Sequence, residues 1–399
     1  MRRFTCVALL ALLVLSPIGT AASAPAVPAD TAAERPTPSA DVTSRTSISN
    51  DTTRRLELDT VSTQGYGTPG LDLGAAVVMN RETVDNSYRL ELLSVRLGAA
   101  SSDEARQALV ETAIEDVESR VDTLQQQERQ AIEAYGAGDI SERELLKRLA
   151  LVGYRAEQTK DTIGRLERST GASLGYLTRQ ANEYSTPTRS ALFRTLNNER
   201  DGSLQAQVQG SQSGVVIQLL AQSGPDLEYY REAVRLDHWD TDTANGFDNR
   251  TEFLEYTESR YPYVRESSGV NIWEFRRGSW FYESPLDQGS IRIYVDGSQR
   301  KVYREYQQLT VSALPVSNSV NATDYGVEVV INETANGGPA RIQVQNVLSG
   351  DAIAAPVMVD GTVVGQTNED GVHWFTQPSG AYEVTVDLPQ GPINVTVSS

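Results

Sequence analysis

The chain has 399 residues and a formal net charge of −18, from 35 basic and 53 acidic side chains, with one cysteine and two histidines. One cysteine and two histidines are too few to build a zinc finger, a haem or iron–sulfur site, a Cys/His active site or a disulfide scaffold. We therefore expect no cofactor. The acidic balance argues against nucleic acid as a partner, because phosphate contacts need a basic surface. A chain of this length predicts two or three domains.

The N-terminus has the pattern of a secretory signal peptide. Arg2 and Arg3 precede an apolar run over 7–15, and small residues follow at 21–24. A positively charged start, a short apolar run and small residues are the three parts of such a leader, and we assign residues 1–24 to it. The alternative, a membrane anchor, needs about 20 apolar residues. The sequence therefore predicts a secreted or cell-surface (extracellular) protein with no membrane span once the leader is removed.

The remaining composition indicates a saline milieu. Only three of the basic residues are lysines, and the single cysteine, Cys6, lies inside the predicted leader. An exported chain that is acidic, poor in lysine and free of cysteine resembles the secreted proteins of haloarchaea. At molar salt the Debye length falls to about 3 Å or less, which screens repulsion between surface carboxylates. An ordinary acidic secreted protein is the alternative, and a GC-rich genome would also favour Arg over Lys.

Five N-x-S/T sequons are compatible with glycosylation of an exported surface. They begin at Asn50, Asn249, Asn321, Asn332 and Asn394. Such short motifs also arise by chance in a chain rich in Ser and Thr, so the use of any single sequon stays open.

A disordered tether and a helical domain are predicted next. Residues 25–65 are mostly Ala, Pro, Thr, Ser and charged residues, which bury too little apolar surface to fold. Within a helical domain over 66–200, apolar residues recur at alternating spacings of 4 and 3 over 101–135 and again over 141–170. Capping boxes begin the two segments at Ser101 and Ser141, and a Gly-Ala-Gly break separates them.

This spacing predicts two long helices that form an antiparallel coiled-coil hairpin. Such a hairpin would act as a spacer or as a partner-binding arm. Because pairing within one chain already satisfies much of the heptad seam, a monomer is favoured.

Residues 201–312 predict an α+β module with the order β-α-β-β-β. Aromatic residues concentrate here, Ile291, Ile293 and Val295 alternate as in a strand, and Asp296-Gly297 turns the chain back. The run Ile291-Arg-Ile-Tyr-Val-Asp-Gly, followed by Val302-Tyr-Arg-Glu-Tyr, resembles the PepSY-type domain of exported proteins. The resemblance implies a protein-binding or inhibitory module and supplies no catalytic residue.

Residues 318–399 predict an all-β sandwich. Alternating apolar residues are followed by Thr367-Asn-Glu-Asp370-Gly371 and later by Pro378-Ser-Gly380-Ala-Tyr382. This run resembles carboxypeptidase-regulatory-like and prealbumin-like, Ig-type β-sandwiches, which implies a structural or adhesive accessory domain. The fold class is thus multidomain: an α-helical hairpin, then a PepSY-like α+β module, then a sandwich. The whole arrangement resembles an uncharacterised family of haloarchaeal surface proteins.

Two groups of side chains are candidate sites. An acidic loop offers oxygen ligands of the kind that calcium prefers, although the spacing fails the EF-hand pattern and a solvated acidic loop is favoured. Its carboxylates are Asp237, Asp240, Asp242 and Asp248. A group of aromatic residues with one arginine suggests a binding face for a sugar or peptide, and the favoured alternative is the core of a small domain. The group comprises Tyr229, Trp273, Arg276, Trp280 and Tyr282.

Motifs of nucleophilic enzymes are missing from the sequence: there is no G-x-S-x-G elbow, and the two histidines, His238 and His373, fall in different predicted domains. We therefore expect a structural or interaction protein with protein partners at the cell surface and no catalytic activity of its own. Two alternatives stay open. One is an inhibitor or chaperone-like module for another exported enzyme, and the other is a hydrolase with an unrecognised carboxylate site.

Overall fold

The computed structural model describes residues 55–398, apart from gaps at 200–201, 224–225, 241–244, 266–268 and 276–277. The predicted leader over 1–24 and most of the predicted tether lie outside the described residues.

The described residues form six α-helices, five of which lie between the first and second strands of the main sheet in the chain. Their bounds are α1 (Leu73–Ala99), α2 (Asp103–Gly136), α3 (Glu142–Thr170), α4 (Gly175–Asn182), α5 (Pro187–Leu196) and α6 (Arg250–Arg260). The ends of α2 and α3 lie within two residues of the ranges that the heptad spacing predicts. The cap of α2 is Ser102 rather than Ser101, because the Ser102 hydroxyl accepts a hydrogen bond from the Ala105 amide. Each of the described helices is too short or too polar to cross a membrane.

Eight antiparallel strands form the main sheet. They are β1 (Thr63–Gly67), β2 (Leu204–Ser211), β3 (Gly214–Ser223), β4 (Asp226–Arg235), β5 (Asn271–Phe275), β6 (Ser279–Leu286), β7 (Gly289–Asp296) and β8 (Lys301–Thr310). Their order across the sheet is β1-β2-β3-β4-β8-β7-β6-β5. The sheet is therefore continuous from the predicted tether into the predicted α+β module.

Helices α1–α5 and helix α6 pack on opposite faces of this sheet. Ile132 of α2 and Leu192 of α5 share a core with Val215 of β3, whereas Phe253 of α6 packs with Val216, the next residue of the same strand. Successive strand residues point to opposite faces, which explains the two cores. The helical segment and the α+β segment therefore share one core and are not the two separate domains that the sequence predicted.

The turn end of the α2–α3 pair also lies on the sheet. The Tyr135 hydroxyl donates to the carbonyl of Val208, 3.3 Å away. Gly136 approaches the β2–β3 turn so closely that a Cβ at this position would lie 1.9 Å from the Ser211 carbonyl oxygen. This end of the pair is thus buried against β2 and β3 and does not project as a spacer arm.

The end of the predicted tether is a further correction. Residues 55–65 belong to the fold, because β1 pairs with β2 from Thr63 onwards and Leu56 lies in the α6-side core. The backbone of Leu56 is held on both sides: its amide donates to Glu305, and its carbonyl accepts from Arg231. The composition of this segment is polar, yet its few apolar residues and its backbone find partners in the sheet.

The C-terminal segment is a β-sandwich of two four-stranded sheets with the orders β14-β11-β10-β9 and β13-β12-β15-β16. The strands are β9 (Val316–Asp324), β10 (Val327–Thr334), β11 (Pro339–Asn346), β12 (Pro356–Val359), β13 (Thr362–Gln366), β14 (Val372–Thr376), β15 (Tyr382–Val386) and β16 (Ile393–Val397). Alternate valines and isoleucines of both sheets, such as Ile331, Ile342 and Val384, fill the space between them.

Polar contacts join the sandwich to the main sheet. The Gln218 amide donates to the Gln377 carbonyl over 3.3 Å, and the Ser379 hydroxyl donates to Gln209 over 3.0 Å. The described residues, 55–398 with the gaps given above, accordingly belong to one compact unit.

Candidate functional site

The residues of the predicted aromatic binding face do not share a face. Trp280 and Tyr282 are buried on the α6 side of the sheet, whereas Trp273 packs on the opposite side. Tyr229 is buried in a third cluster, and Arg276 lies outside the described residues. These residues therefore do not form one binding face, and Tyr229, Trp280 and Tyr282 are core residues, in line with the alternative that the sequence favoured.

The carboxylates of the acidic loop, considered above as a less favoured calcium site, are also divided. Asp237 pairs with Arg235 at 2.8 Å, and the hydrogen bond from that guanidinium lowers the pKa of Asp237 to about 2. The amide of Asp240 donates to Asp296, and Asp242 lies outside the described residues. Asp248 does not cap α6, because Asn249 does so. In the part of the chain that the structure describes, no three His, Cys, Asp or Glu side chains are grouped to hold a metal ion.

The sequons differ in accessibility. Asn321 and Asn394 are exposed on strands of the sandwich, and Asn332 is half-buried. Asn249 is exposed, but its side-chain oxygen caps α6 by accepting from two backbone amides. Asn50 lies outside the described residues.

Each histidine contacts a different part of the fold. His238 Nδ1 lies 2.7 Å from the carbonyl oxygen of Val302, and His373 Nε2 lies 3.1 Å from the side-chain nitrogen of Gln205. Burial lowers the pKa of both rings.

A buried charge network lies between the helices and the sheet. Arg304 of β8 donates through both terminal nitrogens to Glu128 of α2. Arg189 of α5 bridges Glu128 and Glu232 of β4, with its Nε 2.9 Å from the Glu232 carboxylate. A third carboxylate, Glu183, has one oxygen 3.5 Å from Arg304 Nε. All five side chains are at most 2% exposed.

The network keeps its charges in the ionised form. Burial alone would raise the pKa of Glu128, but the adjacent Arg304 and Arg189 guanidiniums outweigh it and hold that pKa at about 2. The carboxylates in turn raise the pKa of Arg304 against the effect of its burial. Sequence reasoning missed this network, although one signal was present. Glu128 interrupts the apolar heptad pattern of α2 in the middle of its seam.

Beside the network, a groove of about 300 Å³ opens between helices α3–α5 and strands β5–β7. Its floor is a row of three aromatic residues on neighbouring strands, Trp273, Phe281 and Tyr294. Trp273 stacks on Phe281 with 4.0 Å between ring centroids, and Tyr294 meets Phe281 edge-on at 4.9 Å. We call this feature the aromatic groove.

Charged side chains of both signs border the aromatic groove. On the sheet, Arg292 Nε donates to Glu283 over 2.6 Å. On the helices, Arg179 forms no ion pair with the described residues, and Lys160 pairs with Glu157 at 3.2 Å. A ligand in the groove would therefore meet the half-buried Trp273 ring, flanked by charged groups of both signs.

Ser185, at the helical wall of the groove, is held between two charged residues. Its hydroxyl donates a short hydrogen bond to Glu157 and accepts one of 3.2 Å from Lys160 Nζ. Lys160 is one of only three lysines in the chain, beside 32 arginines. A lysine ammonium is a compact point charge, whereas the guanidinium of arginine is a planar fork.

Family comparisons divide the chain into three. The domain of unknown function DUF7096 matches residues 1–200, the family of unknown function DUF7094 matches 206–315, and the archaeal fibronectin-III type-like domain matches 318–395. The third match confirms the prediction of a C-terminal β-sandwich and assigns it to the fibronectin-III type. Comparisons with curated proteins and with solved structures gave no significant match.

These matches identify an archaeal multidomain protein with a helical N-terminal region, followed by β-sheet domains. The aromatic groove lies where the first two matched regions meet: α3–α5 fall within 1–200, and β5–β7 fall within 206–315. Because the model of the domain of unknown function DUF7096 covers 200 of the 399 residues, the chain belongs to the DUF7096 family.

Proposed function

We propose that this is an exported, non-catalytic interaction protein of the cell surface, and that it binds a segment of a partner protein in the aromatic groove. The observation that carries the proposal is the half-buried ring of Trp273, which lines an open groove and stacks on the buried ring of Phe281, with Tyr294 edge-on behind it. Protein interfaces concentrate their binding energy on aromatic residues surrounded by a polar rim.

The chemistry of the groove indicates the kind of segment it accepts. A large apolar or aromatic side chain would contact the Trp273 ring, while an adjacent carboxylate would reach Arg179, which forms no ion pair with a described residue, or compete with Glu157 for Lys160. The acidic charge of the whole chain disfavours an extended acidic partner, so one or two carboxylates next to an aromatic residue fit best.

Export and a saline milieu complete the proposal. They are supported by the leader pattern at 1–24, by the net charge of −18 and by the archaeal type of the C-terminal domain. The same proposal includes a PepSY-like module over residues 201–312 and coiled-coil packing between α2 and α3. Fractionation of the source cells tests it directly: we expect a processed chain in the envelope or medium, and an unprocessed chain in the cytosol would contradict export.

Affinity capture from an extracellular protein fraction tests the groove. The wild-type protein and the variant Tyr325→Ala, which removes an exposed aromatic residue of the sandwich, should retain the same partner. The variant Trp273→Ala should lose it. Equal capture by all three proteins would contradict binding at the groove. A captured enzyme whose turnover falls on binding would favour the inhibitor or chaperone-like alternative.

A hydrolase is the second candidate, and the arrangement of Ser185 between Glu157 and Lys160 favours it. In this scheme Glu157 takes the hydroxyl proton as Ser185 attacks an acyl carbonyl, and the leaving group departs with that proton. Water then hydrolyses the acyl-enzyme and restores the Ser185 hydroxyl, while Lys160 holds Ser185 and Glu157 in position. A fluorophosphonate probe should then label the wild-type protein and not Ser185→Ala. If the wild-type protein is not labelled, the result would contradict the hydrolase and favour a non-catalytic binding function for the groove.

A further inference from the structure

Helix α1 has a second apolar surface that nothing in the described structure covers. One side of the helix is buried through Ala75, Met79 and Leu97, and Ala75 and Met79 share a core with Leu146 and Leu149 of α3. At 100° per residue, the opposite side presents a stripe confined to about 60° of the circumference. The stripe consists of Leu73, Val77, Val84, Tyr88 and Val95, each between 59% and 71% exposed. We call it the α1 stripe.

The α1 stripe has a regular spacing. Its residues follow one another at intervals of 4, 7, 4 and 7, which is an 11-residue repeat. Because 11 residues make almost three whole turns, the stripe runs nearly straight along about 33 Å of helix. Scattered apolar residues on a surface need no partner, but a row of this length, interrupted within its sector by Glu91 alone, marks an interface. Six of the 13 exposed large apolar residues described lie between Leu71 and Val95.

We propose that the α1 stripe binds the α1 stripe of a second copy of this chain, in antiparallel orientation, so that the protein forms a twofold symmetric dimer. The register that places Val77 opposite Val95 also places Val84 opposite Tyr88 and Leu73 opposite Ala99. Every stripe residue then meets an apolar residue of the second copy.

Charge supports the same register. It brings Arg81 and Glu91 of the second copy to the same level along the paired helices, on the two edges of the apolar row, so that this level carries opposite rather than like charges. A parallel pair would instead place Arg81 against Arg81 and Glu91 against Glu91. The three arginines and three acidic residues of α1 balance, so this surface meets a copy of itself without the repulsion expected from a chain of net charge −18.

Two other occupants fit the α1 stripe less well. Helices that bind a lipid surface carry a wide apolar face and a basic polar face, whereas the stripe is narrow and α1 is net neutral. The chain's own N-terminal segment over 25–54 contains only Val27, Val42 and Ile48 as large apolar residues. They are too few and too far apart to cover five stripe residues.

Sedimentation velocity of the full mature chain at about 0.15 M salt tests the dimer. We expect a concentration-dependent dimer for the wild-type protein. Val84→Asp should raise the dissociation constant at least about 100-fold, because each dimer would bury two carboxylates. Val363→Asp is the matched control, since Val363 on β13 is 66% exposed and Val84 is 67% exposed. The control should dimerise like the wild-type protein.

Charge reversal tests the register. Arg81→Glu and Glu91→Arg should each weaken the dimer about 3- to 10-fold, and the double variant should restore it. A wild-type protein that remains monomeric, or a dimer that Val84→Asp leaves intact, would overturn the proposal. A monomeric wild-type protein that co-sediments with vesicles of neutral or anionic lipid, and loses that binding in Val84→Asp, would assign the stripe to lipid and also overturn it.

Discussion

Glu128 on α2 and Arg304 on β8 form a two-point ion pair across 176 residues of sequence, with neither side chain more than 2% exposed. Glu128 belongs to the segment matched by the DUF7096 model, and Arg304 belongs to the segment matched by the DUF7094 model. The pair therefore joins two regions that family comparison treats as separate. A buried pair leaves a costly unpaired charge when one partner is lost, so it couples the folding of the two regions.

Replacing Glu128 by Gln should destabilise the protein strongly. The variant keeps the shape of the side chain but leaves Arg304 and part of Arg189 without their charged partner. Removing one member of such a buried network costs about 3–5 kcal/mol. Urea denaturation followed by circular dichroism measures this loss as a lower midpoint with an unchanged slope.

Glu183→Gln is the matched control for that experiment. The network holds three carboxylates and two guanidiniums, and neither oxygen of Glu183 accepts a hydrogen bond from the described residues. Neutralising Glu183 leaves two carboxylates against two guanidiniums, so we expect a change in the free energy of unfolding of less than about 1 kcal/mol. Equal destabilisation by the two variants would contradict the assignment of Glu128 as the central partner.

Acid should unfold the protein partly through Glu128. Its pKa is about 2 in the folded chain, below its ordinary value of 4.5. A carboxyl with a depressed folded-state pKa contributes its full stability above the unfolded-state pKa and loses it as the pH falls towards the folded-state pKa. The wild-type protein should therefore lose stability between about pH 4.5 and pH 2. The Glu128→Gln variant should show a shallower loss over that interval in denaturation experiments at fixed pH.

Local patterns predicted the elements better than their assembly. The heptad spacing located α2 and α3, and the alternation of apolar residues located the sandwich, because both signals lie within a short stretch of chain. The pairing of β1 with β2 joins Thr63 to Gly210 and leaves no local signal. The aromatic groove depends on the same kind of distant contact, since Lys160 and Trp273 come from opposite sides of the helix–sheet boundary.

Removal of residues before 68 should destabilise the protein, although the sequence predicted residues 25–65 as a tether. This truncation deletes β1, exposes the edge of β2 and removes Leu56 from its core. A truncation that begins at residue 55 keeps these contacts and is the control. We expect a lower melting temperature and aggregation only for the longer truncation, and equal melting of the two proteins would show that β1 contributes nothing to stability.

Gly136→Ala should separate the end of α2 from the sheet. A Cβ at this position would lie 1.9 Å from the Ser211 carbonyl oxygen, and backbone on both sides of the contact leaves no flexible side chain to yield. The variant should lose about 1–3 kcal/mol of stability, as overpacked cores do. Gly164→Ala in α3 is the control, because a Cβ there has no atom within 4 Å. Since alanine favours a helix over glycine, Gly164→Ala should gain about 0.5–1 kcal/mol. Thermal denaturation measures the midpoint of each variant. If both midpoints shifted in the same direction, the result would contradict the close approach of α2 to β2.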